Sequence, residues 1–244
     1  MLKDEMPRQG AFLFRWRSYL PLVLVPLVFL ELIGPDNIFR ASNGFRETLS
    51  VICLCITLVG ISIRCITTGY APKGTSGRNT REQVAEQLNT TGIYSTCRNP
   101  LYLGNLIILS GIVLLVGSWE FFLIVLLAYI LYYERIIFTE EEFLEEKFGD
   151  TYRNWASKTP FLIPSFSHWR KPDIEFNWKR TVKKEFYGVT AAVSSMFFII
   201  LAGNYFARGQ LRIDLFWWVL FVVTIILFFL IRILKKSTNI LSEK

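Results

Sequence analysis

Six apolar runs, near Tyr19–Ile33, Leu49–Ile66, Leu101–Val116, Phe121–Ile137, Val189–Phe206 and Leu215–Leu234, constrain this chain more than any other feature. A bilayer core is crossed by roughly 17–25 apolar residues of helix, and only a helix or a closed barrel satisfies its backbone polar groups there. The chain is 52% hydrophobic yet carries 27 Lys+Arg, so apolar and basic residues must be segregated along it. That pattern predicts an all-α, polytopic integral membrane protein with about six transmembrane helices. Pro21 and Pro26 interrupt the first run and Glu31 lies near its end, which predicts a kinked or partly re-entrant element.

Six spans place both termini on one side, and the basic residues choose which. With a cytoplasmic N-terminus, every Lys and Arg except Arg40, Arg46, Arg208 and Arg212 falls on the cytoplasmic side. The positive-inside rule therefore predicts cytoplasmic termini and two large cytoplasmic loops. The net charge of +7 follows from this topology and from contact with anionic headgroups. The basic residues are spread over juxtamembrane positions without one dense stripe, which argues against nucleic-acid binding. The four cysteines, Cys53, Cys55, Cys65 and Cys97, make no metal signature. Cys53 and Cys55, two apart on a helix, point to different faces, so these thiols read as small packing residues. No small-residue cleavage site follows the first apolar run, so no secretory signal is expected.

The chain divides into an N-terminal two-span region (1–66), a core (67–185) and a C-terminal transmembrane hairpin with its tail (186–244). Trp217 and Trp218 in the last hairpin are candidate interface anchors. The core opens with a polar loop over 67–100. A tight helical hairpin follows over 101–138, turning at Gly117-Ser118, and a second polar stretch fills 139–185. A loop of the first kind is too long for a mere connection. At its end, "GIYSTCRNPLYLG", Gly92 supports a turn and Pro100 suits the first turn of the next helix, where a missing N–H costs nothing. Arg98 and Asn99 then stand beside unpaired backbone N–H groups, suited to anionic oxygens. They suit equally a plain helix cap and a cation reaching for headgroups.

In "YYERIIFTEEEFLEEKFGDTYRNW", helical spacing sets Glu134, Phe138, Glu141 and Glu145 along one face, and Glu140, Leu144 and Phe148 along another. Glu142, Glu145 and Glu146 read as a solvated acidic helix end. Glu134-Arg135 lies where the helix leaves the bilayer, a depth at which ionisable residues mark functional sites.

Both halves in this order resemble the isoprenylcysteine carboxyl methyltransferase and phospholipid methyltransferase family. The shared pattern is Gly-x-Tyr…Arg-His-Pro-x-Tyr-x-Gly, a helical hairpin, then Glu-Glu-x-x-Leu-x-x-x-Phe-Gly-x-x-Tyr and a closing proline, here "TPFLIP". The likeness runs over about residues 86–164 and implies a membrane enzyme that takes a methyl group from S-adenosylmethionine in a pocket at the cytoplasmic face. It implies a membrane lipid or lipidated substrate as acceptor; the spread of basic residues and the cysteine spacing leave no nucleic acid and no metal expected as partner. Carried over by position, the cofactor pocket holds Glu86, Gln87, Leu88, Asn89, Tyr94, Arg98, Asn99, Pro100, Leu101, Tyr102, Glu140 and Glu141, with Asn79 a weaker candidate. Arg135 would face the acceptor as the catalytic residue.

This chain has Asn99 where the family has histidine, and its one histidine, His168, lies outside the motifs. Asparagine keeps a hydrogen-bonding role but relays no proton near neutral pH. An acceptor that is already anionic, a phosphate or a carboxylate, needs no base, so methylation of such a group is the function the pattern favours. An NADPH-dependent enzyme like the membrane sterol reductases, and an inactive scaffold of the same fold, are the alternatives.

Overall fold

A computed structural model describes residues 2–17, 19–35, 38–72, 85–238 and 241. Asn79 lies outside these residues. The described chain forms helices α1 (Leu2–Trp16), α2 (Leu24–Ile33), α3 (Asn43–Gly69), α4 (Pro100–Leu114), α5 (Trp119–Phe148), α6 (Asp150–Ala156), α7 (Trp178–Arg208) and α8 (Leu215–Ser237), joined by short 3₁₀ turns. Among the described residues, five segments are long and apolar enough to cross a membrane: Leu20–Arg40 and helices α3, α5, α7 and α8. The remaining expected span is α4, whose 15 residues reach about 22 Å. The first segment enters through a 3₁₀ turn, Leu20–Val23, with Pro21 in its first turn and Pro26 near the start of α2. Proline suits both places because those N–H groups have no helical acceptor.

The surface confirms the membrane setting. Leu22, Leu30, Ile124, Leu127, Leu215, Ile226 and Phe229 are all exposed, a large apolar exterior that a bilayer covers and water does not. Buried apolar side chains gather around Phe39, Cys53, Val116, Phe121, Met196, Phe197 and Trp217, toward the end of the bundle formed by the α4–α5 turn and the α7–α8 connection. Trp217 is therefore a core residue, because its ring packs inward; Trp218 stays exposed. Cys53 is buried and Cys55 exposed, on different faces of α3.

Where lipid and side chain are equally apolar, helices associate by close packing at small residues. The α3–α4 seam is built that way. A Cβ on Gly60 would stand 2.7 Å from the Gly104 carbonyl and 2.8 Å from the Ile108 nitrogen. One on Gly111 would stand 2.6 Å from the Cys53 carbonyl. The α4–α5 turn forms as the sequence predicts: Gly117 takes a φ of 85°, and the Ser118 hydroxyl accepts from the Phe121 N–H at 3.2 Å.

Helix α1 is an element the apolar pattern does not announce. It lies along α5: the Tyr132 hydroxyl donates to the Leu13 carbonyl at 3.2 Å, and a Cβ on Gly10 would stand 2.3 Å from the Arg135 carbonyl. Phe14 is buried in this contact, while Phe12 and Trp16 face outward.

Candidate active site

The two polar stretches fold onto each other through backbone hydrogen bonds. The Arg98 N–H donates to the Pro160 carbonyl, the Ser165 N–H to the Thr96 carbonyl and the Gly92 N–H to the Arg170 carbonyl, each at 2.9 Å. The pairing runs antiparallel. It pairs backbone groups of the 92–99 segment with those of the 160–170 segment, as a closely packed loop requires. Gly92, at a φ of 60°, turns beneath Pro172, whose Cγ would stand 3.1 Å from a Cβ there.

Pro100 occupies the first turn of α4, as expected. Asn99 precedes it but does not cap the helix; its Nδ2 donates to the Phe161 carbonyl at 3.0 Å and so ties the two loops together. Arg98 pairs with Glu141, Nε to Oε1 at 3.2 Å, with its guanidinium 5.9 Å from the centre of the Phe161 ring. Tyr152 and Asn99 lie beside the same carboxylate. Burial beside Glu141 pushes the Tyr152 hydroxyl well above the usual phenol range. Arg98, Asn99 and Glu141 thus form the junction of loop, α5 and α6.

Tyr102, one turn into α4, donates to Glu140 Oε1 at 2.8 Å. The Tyr133 ring lies 4.7 Å from Tyr102 and 4.2 Å from Tyr129, and the Tyr129 hydroxyl donates to the Tyr102 carbonyl at 2.7 Å. From α1's end, Arg17 Nη1 stands 3.8 Å from Glu140 Oε1. Asn89 hydrogen-bonds Tyr94, and burial pushes that phenol well above its usual range, with Glu140 among the charges that act on it.

The structure therefore brings Asn89, Tyr94, Tyr102 and Glu140 to one end of the bundle, with Arg98, Asn99, Pro100 and Glu141 around them. Leu101 is half-buried beside Tyr102, Leu88 is half-buried in the loop, and the Glu86 and Gln87 side chains are exposed. Arg135 stands apart. Its Nε donates to Gln9 Oε1 at 2.9 Å and its Nη1 to the Leu131 carbonyl at 2.9 Å. Five residues at about 100° each put it some 140° around α5 from Glu140. His168 is exposed, against Ser167 Oγ at 3.0 Å.

Next to the tyrosines lies a charged centre that motif reading missed. Arg64 donates to both Glu185 oxygens, at 2.7 and 3.1 Å, and through Nη1 to Asn105 Oδ1 at 2.6 Å. Thr68 adds a hydroxyl to Glu185 Oε1 at 2.9 Å. Gly104 makes room, since a Cβ there would stand 2.6 Å from Arg64 Cγ. An arginine near the end of an apolar run was the available signal.

The protein is thus an all-helical membrane bundle with a carboxylate-and-tyrosine cluster at one end. Residues 50–151 match the phospholipid methyltransferase family, and the chain belongs to it. It is 30% identical over 159 residues to the cobalt-zinc-cadmium resistance protein CzcN of Cupriavidus metallidurans, covering 65% of this chain and 68% of that one. The nickel-cobalt-cadmium resistance protein NccN of Alcaligenes xylosoxydans xylosoxydans is 29% identical over 161 residues, 66% of this chain and 70% of its own. The protein-S-isoprenylcysteine O-methyltransferase of Schizosaccharomyces pombe is 36% identical over 77 residues, 32% of this chain and 33% of its own. No solved structure gives a significant match.

Proposed function

We propose that the protein transfers a methyl group from S-adenosylmethionine to an anionic oxygen, a phosphate or a carboxylate, of a membrane lipid or lipidated substrate at the cytoplasmic face. The observation that carries this reading is the Tyr102–Glu140 contact at 2.8 Å, made between the two halves of the hairpin under loops that lock together.

The residues present fit the cofactor. A carboxylate, phenol hydroxyls and amides converge there, and the nearest arginines, Arg17 and Arg98, each face a carboxylate, so a cation meets no net repulsion. S-adenosylmethionine, when bound, supplies a methyl group made electrophilic by its sulfonium. Glu140, held by Tyr102, would take the cofactor's hydroxyl or ammonium hydrogens, and Asn89 and Tyr94 would bind its polar groups from the loop. Arg98, Asn99 and Glu141 would hold the loops in place, and the tyrosine cluster would keep water from the reacting atoms. An anionic acceptor oxygen needs no proton removed, so Asn99 can serve as a structural tie where a base would otherwise be wanted. Arg135, on the α1 side of α5, would steer the headgroup by its charge.

The test is incubation of the purified protein in bilayers with methyl-labelled S-adenosylmethionine and a lipid extract. Transfer of label to a lipid supports the reading; absence of both transfer and cofactor binding sinks it and favours an inactive scaffold.

A further inference from the structure

We propose that Arg17, the residue that follows α1, is the cation that receives the acceptor's anionic group beside Glu140; this rests on the methyltransferase reading above. Position is the first support. Arg17 Nη1 stands 3.8 Å from the carboxylate that Tyr102 holds, and its guanidinium lies 4.1 Å from the centre of the Phe14 ring. That ring is buried, so the cation rests on a fixed surface. Helix α1 is itself pinned: Tyr132 donates to Leu13, Arg135 to Gln9, and Gly10 sits against the α5 backbone.

Depth is the second support. Trp16 and Tyr19 flank Arg17 in sequence, are both exposed, and meet edge to face with ring centres 5.9 Å apart. Exposed Trp and Tyr at the start of a span settle at the headgroup level, and Leu20–Arg40 begins with the next residue. The Arg17 backbone therefore stands at headgroup depth while its side chain turns inward to the site. A headgroup phosphate or carboxylate sliding in at that depth meets this guanidinium before it reaches Glu140. A guanidinium presents its N–H donors in a planar fork that matches the oxygens of a phosphate or a carboxylate.

The test uses the full chain in phosphatidylcholine nanodiscs, titrated with dihexanoyl phosphatidic acid, with inorganic phosphate alone, and with S-adenosylmethionine. Arg17→Gln should weaken phosphatidic acid binding about tenfold or more, and Arg17→Lys less, and in both variants by a clearly larger factor than cofactor affinity changes. Wild-type binding of phosphatidic acid by Arg17→Gln would overturn the proposal. So would a parallel loss of phosphatidic acid and cofactor binding, which would make Arg17 a brace for Glu140. Inorganic phosphate that competes as well as the lipid would overturn the headgroup assignment. If Arg17→Gln fails to fold, Arg17→Lys decides: a single charged nitrogen should bind the lipid measurably more weakly than the fork, and unchanged affinity counts against the proposal. Failure of the wild-type protein to bind S-adenosylmethionine would sink the methyltransferase reading, whereas the phosphatidic acid titration would still decide Arg17.

Discussion

Arg64 and Glu185, 121 positions apart, meet as a forked ion pair with nitrogen–oxygen distances of 2.7 and 3.1 Å, and the carboxylate is almost fully buried. Removing one partner leaves the other charged and buried, a loss of about 3–5 kcal/mol. Glu185→Ala should lower the unfolding midpoint in detergent by on the order of 10 °C. Arg64→Met with Glu185→Leu should recover most of that loss. A double variant no more stable than the single would show that the pair is not coupled.

Glu140→Gln keeps the shape that accepts from Tyr102 but removes the charge. Calorimetry should find S-adenosylmethionine affinity at least about tenfold lower, since hydrogen bonds to an ionised acceptor are roughly twice as strong as neutral ones. Thermal stability should change little. Unaltered affinity would take Glu140 out of the cofactor pocket.

Arg135→Ala should reduce methyl transfer by about tenfold more than it reduces cofactor affinity. The comparison needs both quantities on one preparation. Equal losses would mean that the Arg135–Gln9 contact acts only by holding α1 to α5.

Gly60→Ala presses a methyl group onto the Gly104 carbonyl and the Ile108 nitrogen, atoms of backbone that cannot rotate aside. Destabilisation of roughly 1–3 kcal/mol is expected, read from the unfolding midpoint. The same change at Gly149 introduces no such contact, but the backbone there, at φ 53° and ψ −128°, is one that side chains avoid, so a cost of about 1–3 kcal/mol should come from backbone strain alone.

Burial pushes the Cys97 thiol up to about 11 from an ordinary 9.0. The folded chain thus holds this proton more tightly than the unfolded chain. Stability should be fully retained below pH 9 and decline as pH rises toward 11. Maleimide at pH 8 should leave Cys97 unlabelled in the native protein and label it after denaturation; rapid native labelling would contradict the burial.

Much of the site was legible because its chemistry is local. Pro100 suits the first turn of a helix, Gly92 and Gly117 mark turns, and the helical repeat that groups Glu134 with Glu141, seven residues on, sets Glu140 to one side of them. The same repeat, about 100° per residue, sets Arg135 some 140° around the helix from Glu140, a conclusion the motif alone hides. What stayed illegible is what pairs across distance. Nothing near Glu185 in the sequence points to Arg64, and nothing near Gly10 points to Arg135. Asn99 reads as a cap from its neighbours, and only the return of Phe161 shows its amide spent elsewhere. The apolar pattern finds spans by composition, so it passes over α1, whose one buried face is narrow.

The shortness of α4 has a consequence for the surrounding lipid. A helix of about 22 Å stands in a hydrocarbon layer of about 30 Å, and the bilayer meets such a mismatch by thinning. Because α4 begins at the site, such thinning is expected at its doorway, with headgroups lower there than in the open leaflet. Turnover should then follow acyl-chain length, fastest in thin membranes, with the protein acting on its neighbours' elevation before it acts on their chemistry.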